Sequence, residues 1–193
     1  MPSESPLPTT LPLESSRLRL RRFIAADLPA FQAYRTDPEI ARYQGWESCT
    51  QAEAQQFLVG QQQAIYGMPG HECQIAIERK ARPGLIGDCY LKVDKDEPRL
   101  ATLGFSLARE FQGRGYATEA VSRLLDDLFG ARGLHRVIAY LNSENVRSRA
   151  LLERVGFRRE GHYLQCYWKN GRWEDAYSYA LLEREWEAKQ QVE

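Results

Sequence analysis

The segment Leu103-Gly-Phe-Ser-Leu-Ala-Arg-Glu-Phe-Gln-Gly-Arg-Gly-Tyr-Ala117 constrains this chain more than any other. It places an alternating strand, a short loop with Gly113 and Gly115, and the start of a helix in direct succession. Such a unit aims backbone N–H groups and a helix N-terminus at one spot, which suits a pyrophosphate. Glycine at both positions lets the backbone approach an anion without a Cβ in the way, and Arg109 and Arg114 add positive charge beside it. The same two glycines are also compatible with a tight turn and nothing more. A Walker loop needs Lys-Ser/Thr after its second glycine, and a dinucleotide-binding loop needs a third glycine and an acidic residue at the end of the next strand. Here the loop ends Gly-Tyr-Ala and the next strand ends Leu141-Asn142.

The segments on either side supply an α/β (α+β) domain. Residues 1–13, with Pro2, Pro6, Pro8 and Pro12, are expected to form a mobile arm, and residues 14–193 a single domain. Arg17–Phe23 alternates apolar and basic residues, as a half-buried strand does. Helices are predicted over Ala26–Arg35 and from Gln51 to about Tyr66, the second capped by Thr50 with Glu53 three residues on. Strands over Glu72–Glu78, Leu85–Val93 and Leu100–Leu107, separated by turn signals, form an antiparallel meander. Ala117, Ala120, Val121, Leu124, Leu125 and Leu128 fall on one helix face, with Gly130 or Gly133 to end it. A strand over Val137–Leu141, a helix over Asn145–Arg154 and a strand pair meeting at Asn170-Gly171 complete the order.

The 26 basic and 26 acidic residues cancel, so no general positive field favours nucleic acid. Cys49, Cys73, Cys89 and Cys166 are widely spaced without a C-x-x-C pair, and His71, His135 and His162 share no ligand spacing; reduced cysteines and no metal are expected. With no apolar run long enough for a bilayer and no signal peptide, the expectation is a cytoplasmic protein without a membrane partner.

Gln112-Gly-Arg-Gly-Tyr-Ala117 resembles the Q/R-x-x-G-x-G/A signature of the GCN5-related N-acetyltransferases (GNAT). Asn142-Ser-Glu-Asn-Val-Arg-Ser-Arg-Ala-Leu-Leu-Glu-Arg-Val-Gly-Phe157, followed by Arg159-Glu-Gly161, is similar to the RimJ/RimL-like branch of ribosomal-protein alanine N-acetyltransferases. Asp37–Tyr43 and Asp175–Trp186 fit the same branch. The resemblance implies a mixed, mostly antiparallel seven-stranded sheet flanked by about four helices and splayed between its fourth and fifth strands. It further implies acetyl-coenzyme A as co-substrate. Phe105, Ser106 and Leu107 would meet its pantetheine, Gln112, Gly113, Arg114, Gly115, Tyr116 and Ala117 its pyrophosphate, and Asn142, Asn145 and Ser148 the other side. Helix capping is the competing role of Asn142 and Asn145.

The resemblance implies direct attack by an amine on the thioester in a ternary complex. Two positions depart from the family pattern. Leu152 stands where many members have a tyrosine that can protonate the leaving thiolate, and Tyr167 stands where the ribosomal-protein branch has a glutamate. Ser148 and Tyr167 are the catalytic candidates, with Glu160, Glu174 and Asp175 as further proton-handling groups; Ser148 could instead bond back to the preceding helical turn. Tyr43, Trp46, Tyr167 and Trp168 are expected to wall the acceptor site, core packing being their alternative. The acceptor is a small-molecule amine or a protein N-terminus, and the protein a monomer or homodimer. A catalytically silent module that binds acyl-coenzyme A is the alternative function.

Overall fold

The computed structural model describes residues 10–46, 49–169 and 171–191. Among these, eight strands form one sheet: β1 (Leu13–Glu14), β2 (Leu18–Arg21), β3 (Glu72–Arg79), β4 (Leu85–Val93), β5 (Leu100–Leu107), β6 (Arg136–Asn142), β7 (Arg158–Lys169) and β8 (Arg172–Leu182), in the order β1-β2-β3-β4-β5-β6-β8-β7. Of the neighbouring pairs, β5 and β6 run parallel and the others antiparallel. The helices among the described residues are α1 (Leu28–Arg35), α2 (Pro38–Ala41), α3 (Gln51–Gln63), α4 (Tyr116–Leu125), α5 (Val146–Val155) and α6 (Glu183–Gln190).

The expected seven strands are thus eight, because Leu13 and Glu14 pair with Leu20 and Arg19. Leu13 is 1% exposed and Leu11 packs on the same core, so the folded part begins within the stretch expected to be an arm; residues 1–9 lie outside the described residues. The two helices beyond the expected four are α2 and α6. Lys169 pairs with Arg172, and Gly171 takes φ 76°, so the tight hairpin is present, Asn170 itself lying outside the described residues.

Side-chain alternation along the sheet builds two cores. Ile75 and Ile77 join a cluster with Ala120, Val121, Leu124 and Leu125 of α4 and with Leu151, Leu152 and Val155 of α5. Ala76, between them, faces the second cluster, with Phe23, Phe31, Tyr34, Ala54 and Leu58 of the α1–α3 layer. Helices therefore cover both faces. Thr50 and Glu53 form the expected capping box on α3, and α4 continues through a π-helical turn, Asp126–Ala131, before Gly133 at φ 62°. Cys73 and Cys89 are buried, Cys49 half-buried and Cys166 exposed. Among the described residues no helix is long and apolar enough to cross a membrane.

Candidate active site

The parallel pair β5–β6 is in register only at Leu100↔Arg136, Ala101↔Val137 and Thr102↔Ile138. Beyond Thr102 the strands separate, while β5 stays paired with β4 as far as Leu107↔Gly87. Every second residue of Leu103–Leu107 consequently turns its N–H and C=O into the opening rather than toward β4. The slot between the strands is lined by Leu103, Gly104 and Phe105 on one side and by Ala139, Leu141, Asn145, Ser148 and Leu152 on the other, with Tyr43 at its mouth. Phe105 is half-buried and Ser106 and Leu107 are buried.

At the end of β5 the loop turns on Gly113 and Gly115, at φ 72° and 77°. A side chain there is strained whatever the space around it. Gly115 is the N-cap of α4 and has no side chain with which to cap the first turn, so its N–H groups are left for a ligand. Tyr116 and Ala117 turn their side chains onto the core. Gln112 Nε2 donates to the Leu107 carbonyl at 2.9 Å, and its Oε1 accepts from Arg147 of α5 at 3.1 Å, so one side chain ties both walls of the slot to the loop. Arg114 contributes its carbonyl, which accepts from Arg17. Glu119, in the first turn of α4, accepts from Ser15 Oγ, Ser16 Oγ, Arg17 N and Arg17 Nε at 2.6–3.0 Å. Burial raises its pKa, but these donors more than offset that and hold it below the ordinary value.

Asn145 caps α5, its Oδ1 accepting from Ser148 N at 3.0 Å, and it also lines the slot. Ser148 Oγ makes no hydrogen bond among the described residues, and Leu152 is 1% exposed at the slot wall. Asn142 faces the other way, into a second cleft of about 420 Å³ lined by Pro38, Ala41, Arg42, Tyr43, Glu144, Lys169, Arg172 and Glu174. Its Nδ2 donates to Tyr167 Oη at 2.7 Å and to Glu174 Oε2 at 2.8 Å. Tyr43 lines both the slot and the cleft.

The β7–β8 register explains why Tyr167 reaches Asn142. Tyr163 pairs with Ala176 and Tyr167 with Glu174, so Leu164, Gln165 and Cys166 stand opposite Asp175 alone. Gln165 takes φ 47° in this bulge, and its N–H donates to Asp175 Oδ1 at 2.8 Å. The bulge re-aims the strand after it. That bond, followed by His162, lowers the pKa of Asp175 and commits it to the bulge. Glu160 is held by Arg136 and Arg158, the Arg136 bond holding its carboxyl low, and it lines neither cleft. Glu174 is buried in the cleft, and the Arg172 Nε–H at 2.6 Å, helped by the Asn142 bond, outweighs the upward push of burial and keeps its pKa below the ordinary value. Tyr167 is shifted the opposite way, upward, chiefly by burial.

Of the aromatics expected around the acceptor, Tyr43 alone lines the cleft. Trp46 lies under the Arg35 guanidinium at 3.7 Å and donates to the Arg35 carbonyl, and Trp168 is 61% exposed, edge-on to Trp173. The charged lining of Arg42, Glu144 and Arg172 is absent from the sequence-based candidates. These residues come from three separate segments; Arg42, inside Asp37–Tyr43, and Glu144, inside the Asn142–Asn145 motif, carried a local signal, and Arg172 did not.

A sequence model of the acetyltransferase (GNAT) domain matches residues 17–158. The chain is 31% identical over 175 residues to the uncharacterized N-acetyltransferase p20 of Bacillus licheniformis, covering 90% of this chain and 97% of that protein. It is 32% identical over 84 residues to the Escherichia coli ribosomal protein uS5-alanine N-acetyltransferase, covering 44% and 43% of the two chains. The structure of spermidine N-acetyltransferase from Vibrio cholerae in complex with CoA and spermine superimposes with a TM-score of 0.75 at 25% identity, covering 89% of this chain and 99% of that one. With a splayed parallel pair, a glycine loop at its end and a domain match across most of its length, the chain belongs to the GNAT acetyltransferase family and is an acetyl-coenzyme A-dependent acyltransferase.

Proposed function

We propose that the protein transfers acetyl from acetyl-coenzyme A to an amine, a protein N-terminus or a small molecule, by direct attack with both substrates bound. The observation that carries this reading is Tyr43, which lines both the slot opened by β5 and β6 and the second cleft that holds Glu174. Leu103–Leu107 would hold the pantetheine arm, Gln112–Ala117 the pyrophosphate, and Asn145 and Ser148 the opposite wall. The co-substrate supplies a thioester carbonyl. An N–C bond forms, a C–S bond breaks, one proton leaves the nitrogen and one reaches the sulfur.

On the amine side, Glu174 is ionised and buried, so it attracts the acceptor ammonium and takes its proton directly or through water. Tyr167 accepts a hydrogen bond from Asn142, which leaves its own proton free to donate. Ser148, with no internal partner for its hydroxyl, is the slot residue suited to the thiolate.

Thiol release from acetyl-coenzyme A across a panel of peptide and small-molecule amines tests this. Amine-dependent release is expected. A protein that binds coenzyme A yet releases no thiol with any of the amines would be a silent binding module instead.

A further inference from the structure

We infer that the acceptor is an amine carrying a carboxylate or similar anion close to it, an α-amino acid or a peptide N-terminus with an acidic neighbour, with that anion seated between Arg42 and Arg172. The inference rests on the transferase reading and names the acceptor class for the same cleft.

Arg42 sits at the C-terminal end of α2 and Arg172 at the start of β8. Their Nη2 atoms, at 3.2 and 3.1 Å, converge on one atom, Oε2 of Glu144 in the loop between β6 and α5. Two guanidinium groups aimed at a single oxygen make a carboxylate clamp, and the chain's own Glu144 occupies it. The side chains of Arg42, Arg172 and Glu144 are 51%, 55% and 46% exposed, and ion pairs so exposed contribute little because solvent screens them. An acceptor carboxylate can therefore replace Glu144 at little cost. Glu174 differs: it is 8% exposed and held by both Arg172 and Asn142, so it stays in place to receive the amine. Arg172 touches both carboxylates, Nε on Glu174 and Nη2 on Glu144, so the amine and anion positions are bridged by one guanidinium and lie only a few bonds apart on an acceptor.

The charge of the lining agrees. Arg42 and Arg172 both turn a guanidinium toward the one Glu144 carboxylate. A polyamine would bring several positive charges to that wall, whereas an amine with its own anion leaves the balance intact.

The test is calorimetric titration of the coenzyme A-loaded protein with aspartate, short peptides acidic at the second position, neutral peptides of equal length, and spermidine. Acidic acceptors should bind about ten-fold tighter than neutral ones, the size of one charge-assisted contact, and aspartate against peptide identifies the source. Arg42→Gln, at an exposed site, should reduce the acidic peptide to the affinity of the neutral one. Glu144→Gln, which removes the negative charge that competes for the clamp, should tighten the acidic peptide several-fold. Spermidine binding more tightly than every acidic amine, or Glu144→Gln failing to tighten the acidic peptide, overturns the inference. Because the readout is binding, repeated without coenzyme A, a failure to bind coenzyme A or to turn over would count against the transferase reading separately.

Discussion

Asn142 commits both of its amide protons: Nδ2 donates to Tyr167 and Glu174, while Oδ1 accepts from Glu144 N. This fixes the direction of every proton around it. Tyr167 must act as a donor, and its raised pKa keeps the phenol protonated across the neutral range; Glu174, with a lowered pKa, is an acceptor throughout that range. The two variants should separate in their pH profiles. Glu174→Gln should lower kcat/KM by about 10²–10⁴, the contribution of a general base, with the loss shrinking toward high pH because more of the amine is already neutral. Tyr167→Phe should cost less and equally at every pH from about 6 to about 9, since the phenol does not titrate there. Steady-state kinetics over that interval decide it, and a Tyr167→Phe loss that fades as pH rises would make the tyrosine the base. Of the second cleft's lining, Tyr43 and Glu174 were legible in the sequence, whereas the placing of Arg42, Glu144 and Arg172 there was not, because local pattern carries no side-chain direction. Trp46 and Trp168 are as aromatic as Tyr43, yet a cation under one and an indole beside the other take them out of the cleft.

The elements that carry the donor site are those that local pattern determines. β4 and β5 have the bounds that their alternation predicts, and α4 starts at the glycine loop as its apolar spacing requires. What local pattern does not reveal is what steadies that loop: Glu119 is an ordinary first-turn acid until Ser15, Ser16 and Arg17 converge on it from a hundred residues away. The same holds for α6, a polar helix whose Trp186 docks on Asp126, and for the bulge at Gln165, a residue type with no preference for positive φ. Gly115→Val tests the loop as an element. A β-branched residue at φ 77° stores on the order of 1–3 kcal/mol of strain, and its Cβ would also come within 3.3 Å of Arg17 Nη2. Calorimetry should find coenzyme A binding abolished in a variant that remains folded by circular dichroism. Unchanged affinity would remove the glycine loop from the donor site.

At the scale of the whole molecule, β1–β5 and β6–β8 are two sheet segments joined edge to edge through three residue pairs, with the shared core of α4 and α5 and side-chain bonds such as Gln112–Arg147 and Arg42–Glu144 also spanning them. A co-substrate lying in the gap would touch both segments, with its arm along β5 and its far side against Asn145 and Ser148. It would thus replace the strand pairing that the splay forfeits. Binding to the folded state alone stabilises it by about 2.7 kcal/mol at a hundred times Kd. For a domain of this length each kcal/mol shifts Tm by about 2–4 °C, so saturating coenzyme A should raise Tm by about 5–10 °C. The gain should also be local. Hydrogen exchange should slow at those amides of Leu103–Leu107 that face the opening and at the first turn of α4, while the α1–α3 layer on the opposite face of the sheet changes little. A Tm that does not move at saturation, or protection that appears in the α1–α3 layer and not along β5, would place the ligand somewhere other than between the splayed strands.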